Sequence, residues 1–256
     1  MTGTLKLSRT RCGDQGDRLP IGALLFDLDD TLCDRSDAFQ RWATGFVESR
    51  LTSSGRTARD AARDWLIEVD EQGYCPRPEF GGRIRERFPV TMPESTPEFV
   101  VAFQKRLVSE MTLADGADAL LNALVVAAIP WGIVTNGSTA QQTRKIDHLG
   151  FSGRTSCVFV SEAFRSKKPD PDIFLAAARD LGVPRDRTLF VGDHPFNDIV
   201  GARQADMRTA WIRRGRKWPP DRADARPDLV VNTLGELTAA LSLGAIGRRA
   251  HGSTPR

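Results

Sequence analysis

Two aspartates spaced by one residue close an apolar run in Leu24-Leu25-Phe26-Asp27-Leu28-Asp29-Asp30-Thr31-Leu32. In an extended chain alternate side chains share a face, so Asp27 and Asp29 leave the strand end together. Two like charges there need an offset. A divalent cation is the natural one, and hard oxygen donors suit Mg²⁺. Three later stretches have the same build, chemistry-bearing residues following apolar runs or opening helices. Ile133-Val134-Thr135-Asn136-Gly137 ends in a hydroxyl. Lys167-Lys168-Pro169-Asp170-Pro171 places lysines ahead of a proline-opened helix. Leu189-Phe190-Val191-Gly192-Asp193 ends in Gly-Asp, and a second acid, Asp198, follows five residues later.

The elements that must position these residues follow from periodicity. Residues 21–27 read as a first strand. Phe39, Trp42, Ala43, Phe46 and Val47 then share one helix face, as do Ala58, Ala61, Ala62, Trp65, Leu66 and Val69. Residues 74–96 are rich in Pro and Gly and read as loop, with a short helix near Ile84–Phe88. Pro97 opens a third helix with Val100, Phe103, Leu107 and Met111 inward. From Asp115 the pattern alternates. Helices are predicted at 116–128, 138–148, 171–181, 196–205 and 234–242, and strands at 131–135, 157–160, 187–192, 208–212 and 229–232. Strands alternating with helices imply α/β architecture, a parallel sheet with covered faces. Ligands of such sheets bind beyond the carboxyl ends of the strands, where all four stretches fall.

Bulk properties narrow the function classes. Of 256 residues, 40% are hydrophobic and 27% charged, ordinary for a globular chain of one or two domains. Lys+Arg 36 against Asp+Glu 33 leaves a net charge of +3, so no pull toward nucleic acid or a membrane is expected. No apolar run reaches the length of a membrane span, and the first 19 residues lack a secretory core. Cys12, Cys33, Cys75 and Cys157 form no CxxC pair, which argues against a zinc site and for a reducing, cytoplasmic setting. His148, His194 and His251 stand alone, and His194 is read as a solvated loop residue.

Together the four stretches resemble the four motifs of the haloacid dehalogenase-like (HAD) hydrolase superfamily, over roughly residues 20 to 242. The resemblance implies a Rossmann-like parallel sheet with helices on both faces and an inserted all-helical cap of the C1 type. The core would be 20–33 and 115–242, the cap 34–114, and the flexible tails 1–19 and 243–256. It implies Asp27 as nucleophile and Asp29 as general acid and base. Thr135 and backbone N–H groups of Asn136 and Gly137 would hold phosphate, with Lys168 as the clamp. The family lysine directly precedes the Pro-x-Pro turn, which selects Lys168 over Lys167. Mg²⁺ would be held by Asp27, the backbone carbonyl of Asp29 and Asp193, with Asp198 ordering the surroundings. Asp206 stands where the family usually has glycine in a left-handed turn.

Family dehalogenases lack an acid at position 29, so the resemblance implies phosphoryl transfer. The favoured expectation is a Mg²⁺-dependent phosphatase acting on a small-molecule phosphate ester through an aspartyl-phosphate. A sugar phosphomutase on the same fold is a rival, although its motif has Gly where Asp30 stands. A non-catalytic phosphate- or partner-binding module is another. The chain is expected to be a monomer or weak homodimer. Trp42 and Trp65 are read as cap core. Arg35, Tyr74 and Arg77 are read as surface residues in cap segments.

Overall fold

The computed structural model describes residues 20–89 and 94–241. The tails expected at 1–19 and 243–256 lie outside those residues. Two compact units separate. One joins the chain up to Cys33 with the chain from Leu113 onward; the other is Asp34–Thr112.

The first unit is built on six parallel strands: β1 Ala23–Phe26, β2 Trp131–Thr135, β3 Val158–Val160, β4 Thr188–Gly192, β5 Arg208–Ile212 and β6 Leu229–Val231. Their order is β3-β2-β1-β4-β5-β6. All four residues of β1 and all five of β2, β4 and β5 are buried, as a sheet covered on both faces requires. Strand order reverses between β1 and β4, where Leu25 lies opposite Phe190 and Phe26 opposite Val191. That reversal opens a crevice at the strand ends. Helices α5 Ala117–Val126, α6 Thr139–His148, α7 Ser161–Phe164, α8 Pro171–Asp180, α9 Gly201–Gln204 and α10 Leu234–Ala240 belong to this unit. One core cluster locks α8 to the sheet: Ile173, Phe174, Ala177 and Ala178 meet Leu25, Val134 and Phe190. The Phe174 and Phe190 rings meet edge to face at 4.8 Å. The chain re-enters this unit at Leu113, which bridges Cys33, and Ala114 donates its N–H to Leu32 O at 2.9 Å.

The second unit's described elements are helical: α1 Arg35–Arg50, α2 Arg56–Asp70, α3 Arg77–Arg87, α4 Thr96–Glu110 and a short 3₁₀ turn at Glu71–Gly73. Trp42 is buried at its centre, with its ring 4.6 Å from Phe103, 5.3 Å from Phe39 and 5.4 Å from Phe46. Ser95 and Glu98 form a reciprocal capping box at the start of α4. Three sequence expectations need correction here. The stretch read as loop with a short helix is the eleven-residue α3. Gly81 looks like a breaker but is a contact: a Cβ there would sit 2.9 Å from Thr96 Cγ2 and Val100 Cγ2 of α4. On α2 only Ala62, Leu66, Val69 and Asp70 are buried; Ala58 and Ala61 are exposed, and Trp65 is half-buried against Phe88. Arg35, read as surface, is 4% exposed and forks onto Asp70 at 2.6 and 2.8 Å. Tyr74 is exposed.

In the first unit, the helix expected at 196–205 begins as a π-helical turn, Pro195–Val200, before α9. Neither Asn197 nor Asp198 is its cap. His194 is: its Nδ1 accepts from the N–H groups of Phe196 and Asn197 at 3.2 and 3.0 Å. A capping, half-buried imidazole replaces the solvated one, and burial pushes its pKa down. Asp206 has φ +57°, the left-handed conformation that glycine adopts most readily.

Candidate active site

Asp27 follows β1 directly, and its N–H donates to Val191 O of β4 at 2.9 Å. That bond ties the first acid to the strand that ends in Asp193. Lys168 reaches the same place from the loop before α8. Its Nζ donates to Asp27 Oδ1 at 2.5 Å and to Asp198 Oδ1 at 2.7 Å, and the lysine is 3% exposed. Asp198 Oδ2 accepts the His194 N–H at 2.9 Å. Gly192 makes this possible, because a Cβ there would collide with the Asp198 carboxyl. Asn136 positions the lysine's backbone: its Oδ1 accepts from Lys168 N and its Nδ2 donates to Lys168 O, both at 2.9 Å.

Asp27, Asp193 and Asp198 bring carboxylate oxygens within 4.8 Å of one another. Burial and the neighbouring Asp198 push Asp193 up to about 7. Burial raises Asp27 well above the carboxylate range, with Lys168 opposing and Asp198 and Asp193 reinforcing. Burial also opposes the charge of Lys168, but Asp198 and Asp27 outweigh it and raise its pKa. Clustered acids held this far from their ordinary behaviour require a proton or a cation. The donors are all oxygen, so a hard divalent cation fits.

The other expected residues separate into two places. Thr135, 1% exposed at the end of β2, accepts the Gln142 Nε2 hydrogen at 2.6 Å. That contact leaves its own hydroxyl proton to donate. The Gly137 N–H donates to Ser161 Oγ at 3.0 Å, so it is occupied in this arrangement. The Asp29 carboxylate is held by side chains of α6. Lys145 Nζ lies 2.8 and 2.6 Å from its two oxygens, and Gln142 Nε2 lies 3.2 Å from Oδ2.

The HAD_2 model, haloacid dehalogenase-like hydrolase, matches residues 24–212. The chain belongs to this hydrolase family. It is 30% identical over 232 residues to N-acetylmuramic acid 6-phosphate phosphatase of Pseudomonas aeruginosa, covering 88% of this chain and 96% of that one. It is 28% identical over 197 residues to glyceraldehyde 3-phosphate phosphatase of Pyrococcus furiosus, covering 77% and 82%. Among solved structures, the magnesium-bound HAD-hydrolase YfnB of Bacillus subtilis shares the fold with a TM-score of 0.66 at 24% identity, over 86% of this chain and 98% of that one.

This HAD-like hydrolase also places residues at the site that motif reading missed. Arg216 Nη2 donates to Asp193 O and Oδ2, each at 2.9 Å, and Trp211 Nε1 donates to Asp193 O at 2.8 Å. Arg214 Nη1 donates to Asp30 O at 3.1 Å, and Asp30 sits at φ +59°. Nothing periodic marks Arg214 and Arg216 in sequence. Gln142, Lys145 and Ile146 do carry a signal, the i, i+3, i+4 spacing of one helix face.

Proposed function

We propose that this chain is a Mg²⁺-dependent phosphatase in which Asp27 attacks the phosphorus of a small phosphate ester. Its reaction class is phosphomonoester hydrolysis. The observation that carries the reading is the Asp27–Lys168–Asp198 chain of ion pairs beside Asp193 at the sheet's switch point. An Asp27 oxygen forms a bond to phosphorus as the bond to the ester oxygen breaks, giving an aspartyl-phosphate. Asp29 gives a proton to the departing oxygen. Water then attacks phosphorus, Asp29 takes its proton, and Asp27 is restored as inorganic phosphate leaves. Lys168 offsets charge on the transferring group, and an ammonium–anion pair at about 4 Å is worth ~4 kcal/mol at an effective dielectric near 20. The Thr135 hydroxyl and the Asn136 N–H bind phosphate oxygens.

Asp27, Asp193 and the Asp29 carbonyl would hold Mg²⁺, which supplies the positive charge that lets a dianion approach three carboxylates. Asp198 keeps Lys168 in place. Relatives named for a sugar 6-phosphate and a triose phosphate support a small phosphorylated metabolite as substrate. A cytoplasmic monomer or weak homodimer completes the reading; the free thiols of the described cysteines Cys33, Cys75 and Cys157 support a reducing setting.

Phosphate release from a panel of sugar, triose and nucleoside phosphates and one phosphopeptide, with Mg²⁺ and with excess EDTA, tests it. The expected result is metal-dependent turnover favouring a metabolite. Full activity in EDTA removes the metal from the reading, and a phosphopeptide preferred tenfold removes the metabolite.

A further inference from the structure

We propose that Lys145 is the positioning residue that holds Asp29 for the second half of the reaction, the attack of water on the aspartyl-phosphate. The inference rests on the reading of Asp29 as acid and base. Lys145 lies on α6, yet it is 3% exposed, and burying an ammonium is costly unless a partner repays it. Its partner is the Asp29 carboxylate, 116 residues away in sequence, with contacts of 2.8 and 2.6 Å to the two oxygens. One helical turn earlier, Gln142 donates to Asp29 Oδ2 and to Thr135 Oγ1. The inward face of α6 therefore links the acid/base to the hydroxyl at the end of β2.

A carboxylate gripped at both oxygens has its rotamer fixed, and Asp29 retains a side chain 25% exposed from which to meet a water. Its ion-paired form is the one that accepts a proton. In the step concerned, the water oxygen bonds to phosphorus, the bond from phosphorus to the Asp27 oxygen breaks, and the water proton passes to Asp29. Lys145 exchanges no atom. It keeps the acceptor oxygen on the water's line, and a misplacement of about 1 Å costs on the order of 10²-fold.

The test is transient kinetics on p-nitrophenyl phosphate, whose leaving group needs little protonation. Lys145→Met is expected to lower kcat by roughly 30- to 100-fold while kcat/KM stays within about threefold. KM then falls in parallel, p-nitrophenol appears in a stoichiometric burst, and the phosphorylated protein accumulates and is seen by intact-mass measurement. Lys145→Arg, which keeps the charge, should recover part of kcat. Equal falls in kcat and kcat/KM, or a raised KM at unchanged kcat, overturn the proposal. If Lys145→Met fails to fold, Lys145→Gln is read by the same criterion. Asp29→Asn separates the two readings. It too should accumulate phosphorylated protein, and Lys145→Met added to it should cost less than about threefold more. If Asp29→Asn shows no accumulation, the acid/base reading itself fails. If it does and Lys145→Met does not, only the role given to Lys145 fails.

Discussion

Each unit of this protein buries charge, and the two do it in opposite ways. In the helical unit one acid meets two cations. Asp70, 1% exposed, takes Arg35 at both oxygens and Arg77 at 2.9 Å. The surplus positive charge has somewhere to rest, because Arg77 lies 5.3 Å from the Phe80 ring centre and Arg35 lies 5.4 Å from that of Phe39. In the α/β unit the imbalance is negative. Asp27, Asp193 and Asp198 cluster together; Asp27 and Asp198 share one lysine, Lys168, and Asp193 pairs with Arg216. Aromatic faces cannot absorb negative charge, and burial, with the neighbouring acids adding to it, displaces the acids themselves, Asp193 to about 7 and Asp27 upward. A buried charge cluster that closes on itself is a fastening. One left short of positive charge is a place for a cation and a substrate.

The largest effect should come from removing the nucleophile. Asp27→Asn is expected to lower turnover by at least ~10⁴-fold, the scale seen when a nucleophile is lost. Thermal stability without metal should hold or rise, since one of three repelling carboxylates is neutralised. Turnover near wild type would end the nucleophile assignment. A melting temperature that falls steeply would end the claim that this cluster is under electrostatic stress.

Lys168→Met comes next, with a different signature. It removes the cation shared by Asp27 and Asp198, which costs about 3–5 kcal/mol when a buried pair loses one partner. Turnover should fall roughly 10³-fold, the equivalent of ~4 kcal/mol. Added Mg²⁺ should restore part of the stability and little of the turnover. Denaturant melts with and without metal check this; loss of stability that metal does not touch would separate Lys168 from the acid cluster.

How much of this was legible in sequence depended on distance along the chain. Asp27, Thr135 and Asp193 were readable because each ends or directly follows the apolar strand that carries it. The parallel sheet was readable for the same reason: strand and helix periods are local. The pairing of Lys145 with Asp29 was not, because it joins positions 116 residues apart and exists only once α6 turns its inner face to the sheet. Arg216 gave no periodic sign at all. In the helical unit two general rules misled. Gly81 and Gly82 read as loop, but Gly81 lets α3 approach α4 closely. Arg35 read as solvated, as charged residues usually are, yet its fork matches Asp70.

Asp70→Ala tests the other side of the comparison. It strands Arg35 and Arg77 without their shared acid, so the helical unit should lose about 3–5 kcal/mol. Mg²⁺ affinity of the α/β unit, measured by calorimetry below the melting transition, should stay within about twofold, because sites with no shared partners act independently. An equally large loss of metal binding would show that the two charge clusters are coupled.

The smallest effect is the sharpest in location. Among the described residues the helical unit has the buried thiol Cys75, at 1% exposure, and the α/β unit has Cys33 and Cys157, of which Cys157, at 2%, serves as the reporter. Burial raises Cys75 and Cys157, the latter to about 12, so at pH 8 neither holds much thiolate and both should label slowly in the native protein. Labelling then reports opening. The Cys75 N–H donates to the Asp70 backbone carbonyl at 3.4 Å, so the loss of the Asp70 carboxylate loosens the turn that covers this thiol. In Asp70→Ala, Cys75 should label about tenfold faster than in wild type, the equivalent of ~1.4 kcal/mol in local opening, while Cys157 stays at its wild-type rate. Mass spectrometry of the labelled peptides distinguishes the two sites. If both thiols accelerate together, the units open as one, and the fastening around Asp70 holds more than the helices that supply it. If Cys75 alone responds, the cation-rich cluster stabilises its own unit, and the acid-rich cluster is left to its separate work at the ends of β1 and β4.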